Sequence, residues 1–303
     1  MPIAEANGLS LAWDAQGDAK DPVILLVMGL GANLCLWPEE LCALLAAAGY
    51  RVVRFDNRDC GRSTILERLG TPNIAWAAVR HFLHVPLHAS YRIGDMARDT
   101  AALLDALGIA RAHVVGASMG GMIAQDLAAA FPARVASLTS IMSTTGARDL
   151  PGPTPRARRA LLQPPAAAGD REGAVRRMMS VLRAISSRSH PPPAAWLRAL
   201  CERHVDRGNH PSGAARQLMA IVASGDRTPA VRRIRVPALV MHGDEDPLIK
   251  PACGQATAAA IREGGGAATL EIVRGMGHDF PLPLLPQIAG SIVRHCRAAS
   301  AAA

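Results

Sequence analysis

Short apolar runs alternate along the chain with longer segments of helical spacing. Val23–Met28 ("VILLVM") is continuously apolar and ends in Gly29-Leu30-Gly31. Leu36 to Ala48 then has helical spacing, stopped at Gly49. Arg51–Phe55, His113–Val115, Val135–Met142, Ala238–His242 and Leu270–Val273 are further strand candidates. Ile93–Leu107, Met119–Phe131 and Pro286–Arg297 are helix candidates between and after them. Fully apolar runs of this length predict strands covered on both faces, and helices between strands predict βαβ units. The fold class is therefore α/β, with a mostly parallel central sheet flanked by helices. In such sheets, sites form at the carboxyl ends of the strands.

The rhythm breaks between Gly146 and Pro237. Here "LPGPTP", "LQPP" and "HPPPAAW" punctuate the helical segments Gly173–Ile185, Ala194–His204 and Ser212–Val222, with no strand between them. Apolar faces on these segments argue against a disordered linker. The pattern predicts a helical cap (lid) at 146–236, inserted into a core domain made of 1–145 and 237–303. The terminal "AASAAA" is expected to fray.

Composition narrows the function classes. Half of the 303 residues are hydrophobic and 19% are charged, which suits a globular chain with a sizeable core. The formal net charge is +8. The arginines behind it are scattered, with a loose cluster at Arg156, Arg158, Arg159, Arg171, Arg176 and Arg177, and few aromatics accompany them. The reading is an arginine-biased surface with no nucleic-acid partner. Six cysteines without C-x-x-C pairs suggest neither zinc nor a disulfide framework, so reduced, mostly buried thiols are expected. The N-terminal segment lacks a signal-peptide pattern, and Val23 to Leu30 is too short to cross a membrane. The expectation is a cytoplasmic protein with no membrane partner, and a homodimer stays open.

The chemistry centres on "HVVGASMGG". Gly116-x-Ser118-x-Gly120 after a strand and before a helix is a nucleophile-elbow pattern. The turn needs small neighbours because strand and helix pass close together, and it leaves the serine hydroxyl exposed. A glycine turn with no catalytic role is the plain alternative. Serine needs a base, and the base needs an orienting acid; where the serine stands at such an elbow, the chain order is Ser, acid, His. His278, in "VRGMGHDFP" just past a strand, is the base candidate, with Gly275 and Gly277 freeing its loop. Asp246, in "HGDEDPLIKP", is the preferred acid. Asp244 is its alternative and is read as a turn cap, and Asp279 as a surface residue. The backbone N–H groups of Leu30 and Met119 are candidate oxyanion donors. Gly29-x-Gly31 lacks the rest of a dinucleotide fingerprint and has no phosphate-loop lysine. Gly29, Met142, Ser143, Trp76, Phe82 and Trp196 are candidate substrate contacts. No metal or organic cofactor is implied.

The stretches "VMGLGAN", "RVVRFDNRDCGRST", "HVVGASMGGMIAQDLAAAFP", "LVMHGDEDPLIKP" and "GMGHDFP" resemble the α/β-hydrolase superfamily along most of the chain. The Met28-Gly29 loop and "RFDNRDCGRST" look most like the aclacinomycin methylesterase type of serine carboxylesterase. Many members carry His where Met28 stands. Asp56, Arg58, Gly61 and Ser63 match a signature read as loop-locking. The resemblance implies a triad of Ser118, Asp246 and His278 hydrolysing small to medium carboxylic esters through an acyl-enzyme. Ser118 argues against dehalogenases and epoxide hydrolases, which need a carboxylate nucleophile. Proline iminopeptidases, lactonases, C–C hydrolases and perhydrolases keep serine and stay open, as does a non-enzymatic ligand receptor on the same fold.

Overall fold

A computed structural model of the chain describes residues 2–74, 76 and 87–301. Eight strands form one sheet. They are β1 (Ile3–Ala6), β2 (Leu9–Gln16), β3 (Val23–Val27), β4 (Arg51–Phe55), β5 (Ala112–Ala117), β6 (Val135–Ile141), β7 (Ala238–Gly243) and β8 (Ala268–Val273). Their spatial order is β1-β2-β4-β3-β5-β6-β7-β8. The first two pairings, β1 with β2 and β2 with β4, are antiparallel; the others are parallel. The six parallel strands are the six read from apolar runs. The β1–β2 hairpin went unread, because β1 is a four-residue edge strand and the burial of β2 beyond Asn7-Gly8 only partly alternates.

Side chains along β3 explain the continuous apolar run. Leu25 and Val27 enter one core with α2 (Ile93–Ala106) and α3 (Met119–Ala130). Ile24 and Leu26 enter the opposite core with α1 (Glu39–Ala47) and α10 (Leu285–Ala301), where Trp37, Leu41 and Ile292 are fully buried. Both faces are covered, so alternate residues have no reason to be polar. The tail expected to fray continues α10 to Ala301, with Ala299 buried.

Between β6 and β7 lie only helices: α4 (Pro155–Leu161), α5 (Arg171–Ile185), α6 (Ala194–Arg207), α7 (Pro211–Ser224) and α8 (Thr228–Val231). Sequence spacing reveals α5, α6 and α7 and misses α4 and α8, which are too short for a periodic signal. It also misses α9 (Pro251–Glu263), whose alanine-rich sequence has a weak apolar stripe. Among the described residues no helix is long and apolar enough to cross a membrane.

Candidate active site

Ser118 sits between the last residue of β5 and the first of α3, at φ 56° and ψ −121°. This is a left-handed backbone for a residue with a side chain, held by its surroundings. A Cβ on Gly116 would lie 2.1 Å from the Gly120 carbonyl oxygen, and one on Gly120 would lie 2.0 Å from that of Val27. Only glycine allows strand and helix to meet so closely. Ser118 N–H donates to the Ile141 carbonyl at 3.0 Å, and Ser143 Oγ–H donates to the Ser118 carbonyl at 2.8 Å. The corner is thus tied to β6 on both sides.

His278 follows β8 and Asp246 follows β7, so each loop delivers its side chain to the strand ends beside Ser118. Nε2 of His278 is 3.0 Å from Ser118 Oγ, and Nδ1 is 2.8 Å from Asp246 Oδ2. With Nδ1–H donating to the carboxylate, Nε2 is left to accept from the serine hydroxyl. Asp246 is 1% exposed. Its Oδ1 accepts the N–H groups of Leu248 and Ile249 at 2.8 and 2.9 Å. Burial by itself would raise this carboxyl, but His278 and the nearby His242 outweigh burial and hold it well below its usual range. His242 Nε2–H donates to the Ile249 carbonyl at 2.7 Å and lies 3.4 Å from Asp246 Oδ2, steadying the same loop.

The neighbouring acids do other work. Asp244 accepts the Gly275 N–H at 2.7 Å, joining the β7 and β8 loops, and makes no contact with His278. Glu245 accepts the N–H groups of Arg188 and Ser189 from the inserted segment. Asp279 departs from the surface role expected for it. It is partly buried at the cavity wall and accepts the Ser187 N–H at 3.1 Å. Burial pushes its carboxyl up to about 6.

Ser118 and His278 line a mostly apolar cavity of about 1080 Å³ between the sheet and the inserted helices. Leu30, Gly29, Met142 and Trp196 also line it. A Cβ on Gly29 would sit 3.2 Å from that of Ser118, so this loop abuts the serine. The Leu30 N–H makes no hydrogen bond among the described residues, and the Met119 N–H is in the unpartnered first turn of α3. Both are free to receive an anion. Two expected contacts lie elsewhere: Ser143 braces the elbow from behind, and Trp76 is 59% exposed and does not line the cavity. Phe82 falls outside the described residues.

The polar groups between insertion and core were not visible in the sequence. Arg207 pairs with Asp56 at 2.8 Å and Arg216 with Asp59 at 2.6 Å, all four buried. Arg227 reaches Asp126 and the carbonyls of Met122 and Thr144. These arginines, with Arg54 and Arg58, are buried, so the arginine excess is not only a surface property. Gln217 accepts the Gly31 N–H at 2.7 Å, so α7 grips the loop beside Ser118. Asp56 accepts from Leu34 N–H and Arg62 N–H, and Ser63 Oγ–H donates to the Asp56 carbonyl, which fits the loop-locking expectation for that stretch.

Comparison with known proteins agrees with this architecture. A family model for the alpha/beta hydrolase fold matches residues 22–282. The chain is 29% identical to rhodomycin D methylesterase DauP from Streptomyces sp. strain C5, over 94% of each chain. It is 29% identical to a candidate carbamate hydrolase, RutD, from Variovorax paradoxus, over 89% of this chain and 90% of that one. Among solved structures, the enol-lactonase from Burkholderia xenovorans LB400 shares the fold with a TM-score of 0.71 at 24% identity, over 97% of this chain and 99% of that one. With this match covering most of its length, and with an eight-stranded, mostly parallel sheet flanked by helices, the chain belongs to the alpha/beta hydrolase fold family.

Proposed function

We propose that the protein is a serine carboxylesterase whose triad is Ser118, His278 and Asp246. The observation that carries this reading is the unbroken contact line from Ser118 Oγ through His278 to Asp246, opening into an apolar cavity. Ser118 attacks the ester carbonyl while His278 Nε2 takes its proton. Asp246 stabilises the imidazolium, and the N–H groups of Leu30 and Met119 hold the oxyanion. His278 then gives the proton to the leaving alcohol, and a water, deprotonated by His278, releases the acid from Ser118. The inserted helices act as a cap over residues 1–145 and 237–303. The cavity is slightly larger than the usual range for small-molecule sites. Together with similarity to a rhodomycin D methylesterase, that favours an ester with a bulky apolar part.

Hydrolysis of p-nitrophenyl esters over a range of acyl lengths tests this. Ser118→Ala should lose activity by at least about 10⁴-fold with unchanged thermal stability. A variant that retains full activity would rule the mechanism out. Similarity to RutD supports a second reading, carbamate hydrolysis by the same serine. Faster turnover of a carbamate than of the matched ester would favour it.

A further inference from the structure

Arg177, on α5, lines the cavity that holds Ser118. Its Nε donates to the carbonyls of Gln163 and Pro164, and its Nη2 to that of Gln163, at 2.9 to 3.3 Å. Those two nitrogens form the side edge of the guanidinium. The end edge, Nη1 with the second N–H of Nη2, has no protein partner among the described residues. No carboxylate pairs with Arg177, whereas Arg171 pairs with Asp206, Arg176 with Glu172, and Arg198 with Glu172 and Glu202; Arg183, also unpaired, is exposed to solvent. The residues outside the described set include no Asp or Glu that could serve. Burial lowers the Arg177 pKa and no acid raises it back. A half-buried charge facing a mostly apolar cavity without a counter-charge is costly. A ligand that brings the counter-charge offsets that cost.

A second feature points the same way. Arg156, Arg158 and Arg159 of α4 are exposed and have no ion-pair partner among the described residues. The segment just beyond them, Leu161 to Ala166, lines the same cavity. The last turn of a helix favours cations, which accounts for Arg158 and Arg159 locally. It does not account for Arg177, on the next helix. Together the four arginines put positive charge on one wall of the cavity, at Arg177, and on the helix that leads into its lining, which draws anions toward it.

Building on the esterase reading above, we propose that Arg177 binds a carboxylate on the substrate, so that the preferred substrate is an ester with a second, free carboxylate joined to the scissile ester by an apolar span. The open end edge matches a carboxylate with two parallel N–H···O bonds. Arg177 brings one positive charge to a cavity whose wall also holds the Asp279 carboxyl, which favours a monoanion over a phosphate dianion. The apolar lining takes the span between the anion and the ester.

Monomethyl esters of straight-chain dicarboxylic acids from C6 to C12, each compared with its dimethyl ester, test this. The scissile bond is the same in both, and only the remote charge differs. At the best chain length the monoester should show a kcat/KM at least about tenfold higher, expressed in KM, the scale of a charge-assisted hydrogen bond. Arg177→Met should reduce that ratio about tenfold, and Arg177→Lys, which keeps the charge, should restore part of it. The monoester rate should fall with added salt more steeply than the diester rate. Calorimetric binding of both esters to Ser118→Ala protein reads the contact without any chemistry. Tighter binding of the monoester there, lost in Ser118→Ala/Arg177→Met, supports the anion site even if wild type hydrolyses neither ester, in which case only the esterase reading fails. Hydrolysis or binding with no preference for the monoester at any length, or a preference that survives Arg177→Met, overturns the proposal.

Discussion

The sheet core and the inserted helices are held by different kinds of contact. Around Ser118 the contacts are steric and local: glycines at 116 and 120 admit backbone atoms that no side chain could tolerate. The insertion has only a small apolar cluster of its own, built on Val175, Met179, Leu197 and Cys201. Besides apolar contacts of Ala220, Val231 and Ile234 with the core of the sheet, it is fastened by buried charge pairs that reach more than a hundred residues back, Arg207 to Asp56 and Arg216 to Asp59. Both aspartates lie in the loop after β4, which also fixes Met28 through the Asn57 side chain. The strand ends therefore set where Ser118, Asp246 and His278 sit, while the anchors set the walls of the cavity. Chemistry and substrate choice can change separately in such an arrangement.

The largest effect should come from the core side. Asp246→Asn should lower kcat about 10⁴-fold, or about 5 kcal/mol of barrier, because the amide no longer fixes the Nδ1–H tautomer of His278. Asp244→Asn should cost far less, since it only joins two loops. Steady-state kinetics of both variants on one ester decide the matter, and a larger loss for Asp244→Asn would reverse the assignment. On the insertion side, Arg216→Met leaves Asp59 buried without its partner. That should cost about 3–5 kcal/mol in urea unfolding. Arg171→Met, which breaks an exposed pair within the insertion, should leave the midpoint unchanged. Equal effects would erase the distinction between anchors and surface pairs.

The same contrast explains what was legible beforehand. Ser118, His278 and Asp246 stand within two residues of punctuating glycines or a proline at strand ends, so spacing, the chain order and the resemblance together brought them forward. Leu30, Gly29 and Met142 followed from the loop order. The role of Ser143 was misjudged because a residue after a strand can face the cavity or turn back on the elbow, and which it does depends on Gly121 packing against it. Trp196 reaches the cavity, with its indole N–H on Glu40, whereas Trp76 stays exposed. Nothing local separates the two tryptophans. Arg207 and Arg216 look like any surface arginine until Asp56 and Asp59 are brought to them by the fold. Long-range charge pairing leaves no periodic trace.

Asp279 tests the boundary between the regions by pH. Its folded pKa is raised to about 6 by burial, above that of a free Asp. The folded state thus holds this proton more tightly than the unfolded state. The group favours folding most below pH 4, and that advantage is lost as pH rises through about 6. Asp279→Asn should be the more stable protein at pH 8, by up to about 3 kcal/mol. The gap should close as pH falls from 6 to 4. Urea denaturation of both proteins across that range measures it. A difference independent of pH would mean that the carboxyl is not strained by burial and that the contact with Ser187 is what counts.

Glu245 gives the smallest and most local effect. It holds the inserted segment through Arg188 N–H, Ser189 N–H and Ser189 Oγ–H. Those hydrogen bonds, the Ser189 hydroxyl first, pull its carboxyl down to about 2. A depressed carboxyl stabilises above its unfolded pKa and loses that contribution only as pH falls through the folded value. The tie is therefore intact at every pH where the protein would work. Glu245→Gln weakens it at neutral pH without disturbing Asp246, whose backbone partners are Leu248 and Ile249. Because the site is solvent-accessible, global stability should change by less than about 1 kcal/mol. Amide hydrogen exchange at Arg188 and Ser189 should rise while exchange in β7 stays the same. If exchange in β7 rose equally, the insertion and the sheet would open as one unit, and the separation between charge-pinned insertion and glycine-packed core would fail where Glu245 joins them.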